Sequence, residues 1–262
     1  MLARVGGLAG RLKRLLRGAT HLRRQPADGD VTPAAAPLRL WAIPGWVAAV
    51  RTRLFVNAAT VGVVVFGALA WLVSAGQTAS LDLALAQGLQ AVEYPWFASL
   101  MMAISELGFA PLSLAVVLGT AGGLWLVGRP IEATLAVVGS GATLLAQPFK
   151  LLLGRPRPTD AVLSVASELP DYSFPSGHTL LYVGFYGFLF YLAYTRLRRG
   201  RLRTLLLWLL GALILLVGPS RVYLGHHWPS DVLASYALGL AYLVLLVRWY
   251  ARRTLPSALP AV

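Results

Sequence analysis

The chain has 262 residues, 57% hydrophobic and only 13% charged, with a formal net charge of +13. Soluble domains carry about 25% charged residues, so a chain this apolar is expected in a bilayer. The absence of cysteine excludes disulfides, zinc–thiolate sites and thiol nucleophiles. The cations flank long apolar runs without any motif that reads DNA or RNA, which favours an anionic membrane surface or substrate over nucleic acid.

Residues 1–24 place Leu2, Val5, Leu8, Leu12 and Leu15 at steps of three and four, with Arg4, Arg11, Lys13, Arg14, Arg17, Arg23 and Arg24 largely elsewhere. The pattern suits either a basic helix lying on an anionic membrane or a cationic tail. No uninterrupted apolar stretch follows the basic start, so no cleaved secretory signal is expected. A linker is expected over 25–37, which holds Pro26, Pro33 and Pro37, and Trp41 and Trp46 suit an interfacial approach to the membrane. These segments form a basic N-terminal extension, 1–50, ahead of a membrane domain, 51–253, and a short tail, 254–262.

A bilayer is crossed by about 20 mostly apolar residues. Apolar runs of that order predict spans at roughly 54–75, 107–127, 131–152, 178–195, 204–219 and 231–248. The first is the clearest, with no charge between Arg53 and Asp82. Residues 76–100 are expected as an extracytoplasmic loop with a short amphipathic helix around Leu81–Leu89. The fold expected is therefore all-α, a six-transmembrane-helix bundle with a basic N-terminal extension. With a cytoplasmic N-terminus, 19 of the 23 Lys and Arg residues fall on the inner side. The positive-inside rule favours that orientation, with both termini cytoplasmic. Lys150, Arg155, Arg157 and Arg221 are left on the outer face and call for a reason.

Three segments at that face supply one. They are Lys150-Leu-Leu-Leu-Gly-Arg-Pro-Arg157-Pro158, Pro175-Ser176-Gly177-His178, and Ser220-Arg221-Val-Tyr-Leu-Gly-His-His227-Trp-Pro-Ser-Asp231. A phosphoryl group in transfer spreads negative charge over three oxygens, so its catalysis is mostly positioning and electrostatic stabilisation. Lys150, Arg157 and Arg221 would supply the cations, the arginines holding two oxygens each. Ser176 and the Gly177 backbone N–H would add donors at a helix start, where glycine permits close approach. His227 would attack phosphorus and form a phosphohistidine. Asp231, four residues on and just after Pro229, would hold its far ring nitrogen. His178 would protonate the leaving oxygen and then activate water.

The pattern Lys-x6-Arg-Pro, Pro-Ser-Gly-His, Ser-Arg-x5-His-x3-Asp resembles the type-2 phosphatidic acid phosphatase superfamily, the lipid phosphate phosphatases, in its bacterial membrane-bound branch. The matching positions are Lys150, Arg157, Pro158, Pro175, Ser176, Gly177, His178, Ser220, Arg221, His227 and Asp231. The resemblance implies a six-helix core over about 54–248, a metal-independent phosphohistidine mechanism with no cofactor, and lipid phosphate substrates. Its substrate classes are undecaprenyl diphosphate, phosphatidylglycerol phosphate or phosphatidic acid, met at the outer face of the inner membrane. A lipid-linked phosphotransferase would use the same residues. A vanadium-type haloperoxidase-like anion site is a second alternative, against which six apolar spans argue, and a non-enzymatic transporter or scaffold is a third, which leaves the three motifs without a cause.

Other polar residues carry plainer expectations. His226 is expected to be structural and Arg155 a headgroup anchor. Glu106 and Glu132 are expected at the interface, or else facing the bundle interior. Asp160, Glu168 and Asp171 are expected as a solvated loop, with a headgroup lid as the alternative. Trp228 suits an interfacial belt.

Overall fold

The computed structural model describes residues 45–254, with side chains from residue 53 onward. The expectations for 1–44, for the side chain of Trp46 and for 255–262 lie outside the described residues. All regular structure among the described residues is helical. In chain order the helices are α1 (Gly45–Ser74), α2 (Ala79–Gln90), α3 (Pro95–Glu106), α4 (Leu112–Leu126) and α5 (Pro130–Leu153). They continue with α6 (177–196), α7 (Arg201–Tyr223) and α8 (Pro229–Thr254). α5 tightens to a 3₁₀ turn at Gly141–Leu145, and α6 holds a π segment at Tyr182–Tyr186.

Four of these helices are long and apolar enough to cross a membrane: Arg53–Ser74, Pro130–Leu153, Arg201–Tyr223 and Pro229–Thr254. Leu112–Leu126 is a shorter apolar helix. The outside of the bundle is as greasy as its core. Leu126, Leu151, Leu152 and Trp208 are all at least 72% exposed, which suits a surface solvated by acyl chains rather than water. α1 packs on α8, and α3 on α7. α5 and α6 cross where Gly184 meets Gly139, and a Cβ on either would strike backbone of the other. Small residues at such a crossing let two membrane helices approach closely.

The segment 95–111 departs from the expected loop and second span. Pro95 at a first-turn position opens α3 through the apolar run to Ile104, and the chain then turns over 107–111 at Gly108 and Pro111 before α4. The apolar run from 107 is thus divided between a turn and a helix of 15 residues. Proline favours a helix start and disfavours a helix interior, which explains both boundaries. The amphipathic helix around Leu81–Leu89 is α2, with Asp82 buried in its first turn.

Glu132 follows the alternative expected for it, facing the bundle interior rather than the interface. It turns into the bundle, accepting from Tyr250 Oη at 2.9 Å and from Arg129 Nη1 at 3.2 Å. Arg196 Nε donates to the same Tyr250 hydroxyl at 2.8 Å. This network ties α5, α6 and α8 together at the end of the bundle opposite the buried histidines. Glu106 is exposed, as an interfacial residue would be.

Candidate active site

At the other end of the bundle the apolar core gives way to buried polar groups: Asp82, Ser105, Lys150, Ser173, Ser176, Arg221, His226, His227, Ser230, Asp231 and Ser235. Burying so many polar groups is unfavourable unless each finds a partner, so their partners define the site.

Lys150 lies in the last turn of α5, and Gly154 (φ +56°) stops the helix in the left-handed conformation that glycine tolerates best. That turn sends the next residues back over the bundle end. Arg155 goes inward, donating to Asp231 Oδ1, to Ser230 Oγ at 2.8 Å and to Asp82 Oδ2 at 2.7 Å. Its side chain is only 13% exposed, so the expected headgroup anchor is instead a buried tie between α2 and α8. Two carboxylates compensate one guanidinium here, which is why it can be dehydrated at all.

Arg157 faces the cavity. Its Nη1 donates to His226 O and lies 3.2 Å from His227 Nε2. Its Nη2 donates to Asp171 Oδ1 at 2.5 Å, and its Nε to Asp171 O at 2.8 Å. Lys150 Nζ donates to Asp171 Oδ2 and to Tyr172 O, the latter at 2.7 Å. Asp171 is therefore not simply solvated loop, as expected. Burial alone would raise its carboxyl, but the hydrogen bonds and charges of Lys150 and Arg157 bring it down to about 2.

His227 sits in the turn between α7 and α8 and is 1% exposed. Pro229 opens α8, and Asp231 in its first turn accepts from Trp228 N at 3.0 Å, capping the helix start. Asp231 Oδ2 also accepts from Ser173 Oγ and lies 3.5 Å from His227 Nδ1. A guanidinium only donates, so Arg157 requires a lone pair on His227 Nε2, and the ring proton then belongs on Nδ1, toward Asp231. Burial, followed by the Arg157, Arg221 and Lys150 cations, holds the imidazole well below its ordinary value. A neutral ring with its lone pair on Nε2, at the cavity, has the form a nucleophile requires once Arg157 Nη1 turns to a ligand oxygen.

Arg221, in the last turn of α7, is 0% exposed. Its Nη1 donates to Ser105 Oγ and its guanidinium lies 4.9 Å from the Phe109 ring, while Nε and Nη2 have no partner. His178 Nε2 is likewise buried without a partner, its ring edge-on to Phe109 at 4.4 Å. Lys150, Arg157, Gly177, His178, Arg221 and His227 line one cavity of about 300 Å³, together with Asp171, Phe109 and Gln147.

The remaining motif residues stand behind it. Ser176 Oγ caps α6, accepting from Thr179 N at 3.4 Å and Thr179 Oγ1 at 3.1 Å, and its backbone N–H goes to Ser235 Oγ at 2.7 Å. Ser176 is not among the cavity-lining residues. Ser220 Oγ donates to Val217 O at 2.7 Å within α7. His226 is buried against Ser167 Oγ at 3.0 Å and is pushed down to about 3 by burial and then by Arg221 and Arg157. Trp228 Nε1 donates to Pro156 O at 3.0 Å.

Sequence reasoning passed over Ser105 and Phe109, which hold Arg221, and the role of Asp82 behind Asp231. Asp82 had a signal, being the only charge between Arg53 and Glu93. A carboxylate alone in so apolar a stretch needs a buried cation. Ser105 and Phe109 carried none, because nothing local distinguishes them from ordinary helix-end residues.

The family model of the PAP2 superfamily matches residues 131–255. The chain is 29% identical over 169 residues to phosphatidylglycerophosphatase B of Bacillus subtilis, covering 64% of this chain and 82% of that protein. It is 33% identical over 120 residues to an undecaprenyl-diphosphatase of Sulfolobus acidocaldarius, covering 42% of this chain and 51% of that one. The crystal structure of a transmembrane PAP2 type phosphatidylglycerolphosphate phosphatase from Bacillus subtilis superposes with a TM-score of 0.66 at 24% identity. That match covers 76% of this chain and 98% of the other, and bears on the fold alone.

Proposed function

We propose that this chain, a member of the PAP2 superfamily over residues 131–255, is a membrane lipid phosphatase that hydrolyses a phosphate monoester or diphosphate through a phosphohistidine on His227. The observation that carries the reading is Arg221, a fully buried guanidinium with Nε and Nη2 unpartnered beside His178 and His227. An unpaired buried charge costs several kcal/mol, so this guanidinium is suited to hold an oxyanion in the cavity.

His227 Nε2 attacks phosphorus, and the bond from phosphorus to the leaving oxygen breaks. His178 gives that oxygen its proton, releasing the lipid alcohol or, from a diphosphate, the lipid monophosphate. The bound phosphoryl group offsets the surrounding cations and favours protonated His178 before this step. Asp231 steadies the positive charge that grows on the His227 ring. Lys150, Arg157, Arg221 and the Gly177 N–H hold the phosphoryl oxygens. Neutral His178 then takes a proton from water, whose oxygen attacks phosphorus, breaks the N–P bond and frees phosphate. Phosphatidylglycerol phosphate and undecaprenyl diphosphate are the leading substrates because the relatives carry those activities in their names; phosphatidic acid is the third.

The chain crosses the bilayer six times in this reading, α4 and α6 joining the four longer spans in a membrane domain over 51–253. The cation distribution supports cytoplasmic termini and a cavity at the outer face of the inner membrane. Phosphate release from a panel of these lipids by the purified chain, with His227→Ala as the blank, tests the activity. Release by the native chain and none by the variant is expected. Equal release by both would refute the mechanism.

A further inference from the structure

Both carboxylate oxygens of Asp171 are taken by cations assigned above to phosphate. Lys150 Nζ donates to Oδ2 and Arg157 Nη2 to Oδ1 at 2.5 Å. A planar two-oxygen anion from the protein's own loop thus stands on the donors that two phosphoryl oxygens require. Asp231, also close to Lys150, is committed to Arg155, Ser173 and the Trp228 N–H. We infer that Asp171 is a built-in competitor whose carboxylate occupies the phosphate seat on Lys150 and Arg157 when no ligand is bound, so that a ligand enters by displacing it. The inference rests on the phosphate-binding reading of this cavity and adds to it a competitor built into the chain.

Three features of the loop fit a competitor rather than a permanent brace. Exposure is uneven: the side chains of Lys150 and Arg157 are 6% and 11% exposed, that of Asp171 47%. The cations are fixed in the wall while the carboxylate faces water, so a displaced Asp171 is rehydrated rather than stranded. The loop is also anchored on both sides. Ser173 N donates to Arg155 O at 2.9 Å, Ser167 Oγ meets His226 Nε2 at 3.0 Å, and Ala166 N donates to Leu224 O at 3.0 Å. Side-chain rotation at Asp171 therefore frees the two carboxylate contacts without moving the loop ends, while Asp171 O and Tyr172 O go on accepting from Arg157 Nε and Lys150 Nζ. Finally, Asp171 leaves Arg221 Nε and Nη2 unsatisfied. A phosphoryl group brings a third oxygen and more charge, and so outcompetes a carboxylate that has neither.

The consequence is a looser hold on every phosphoryl ligand, which matters most for a ligand with no other contacts. Every ligand is weakened by the fraction of time the seat is closed. A lipid phosphate offsets this with its chain; inorganic phosphate, the product, has no chain and leaves. Both sources share the phosphoryl dianion, and they separate in the assay.

The test uses the full chain in detergent micelles, native and Asp171→Asn, with phosphatidic acid as substrate and inorganic phosphate as competitor. The inhibition constant for phosphate is expected to fall by about 10-fold or more in the variant, with a parallel fall in KM, if the open seat is a minor population. An active variant with an unchanged or raised inhibition constant overturns the inference. A second measurement needs no variant. Carbodiimide labelling of the native chain, read by mass spectrometry, is expected to rise at Asp171 when phosphate is added, relative to Asp160 and Glu168. Unchanged relative labelling overturns the inference as well. A native chain that hydrolyses no lipid phosphate removes the proposed activity alone, because labelling reads the seat without turnover.

Discussion

Arg157 Nη1 lies 3.2 Å from His227 Nε2, so a permanent donor points at the one ring nitrogen that faces the cavity. The contact fixes the tautomer of His227 and marks where a phosphoryl oxygen replaces the ring as acceptor. Lysine keeps the charge but loses the planar fork. Arg157→Lys is expected to lower kcat/KM by roughly 10²-fold, in line with removal of one oriented donor to a developing charge. Steady-state hydrolysis checks it, and a variant within two-fold of native would count against the contact.

Arg155 carries its effect through Asp231 rather than through substrate. Arg155→Met leaves Asp82 and Asp231 buried without their shared cation, and breaking such a pair costs about 3–5 kcal/mol. A clearly lower thermal midpoint in detergent is expected, with kcat falling more than KM changes. An unchanged midpoint would mean the two carboxylates do not depend on it.

The histidines give a stability signature in pH. Burial and neighbouring cations push His226 down to about 3 and His227 well below its ordinary value. The unfolded chain, with His near 6.5, binds protons first as pH falls, so stability is full above about pH 6.5 and declines below it. Asp171 works differently, since its folded carboxyl lies at about 2. Its contribution is full above the unfolded value near 3.9 and is lost only as pH falls through about 2. The thermal midpoint of the ligand-free chain is therefore expected to drop between pH 6.5 and 4.5, and less so in His226→Asn. A flat profile would contradict the buried neutral rings.

Tyr250 offers a control far from the cavity. Tyr250→Phe removes a donor to Glu132 and an acceptor for Arg196, a loss of about 1–3 kcal/mol where the groups are buried. Lower stability with unchanged kcat/KM is expected. A selective loss of activity would show the two ends of the bundle to be coupled.

Much of this was legible in the chain because membrane proteins write their constraints in long runs. The charge-free stretch after Arg53 and the apolar runs ending at Leu153 and Tyr223 announce helices through length alone. The three motifs were legible through spacing, and the chain brings six of their residues onto one cavity. Arg155, two residues from Arg157, was not, because a basic residue at a helix end reads the same whether it meets lipid or a buried carboxylate. Asp171 looked like loop acidity for the same reason: its partners lie 14 and 21 residues away. The break at 107–111 was hidden because hydropathy sums across Gly108 and Pro111 without registering the turn they impose.

The central claim is that His227 becomes covalently phosphorylated inside this ring of cations. The most direct measurement is to mix the purified chain with a ³²P-labelled lipid phosphate, quench in alkali, where phosphohistidine survives, and locate the label by mass spectrometry. His178→Ala, which slows the water step, is expected to accumulate label on His227, and His227→Ala to carry none. Label on another residue, or full phosphate release by His227→Ala, would contradict the account.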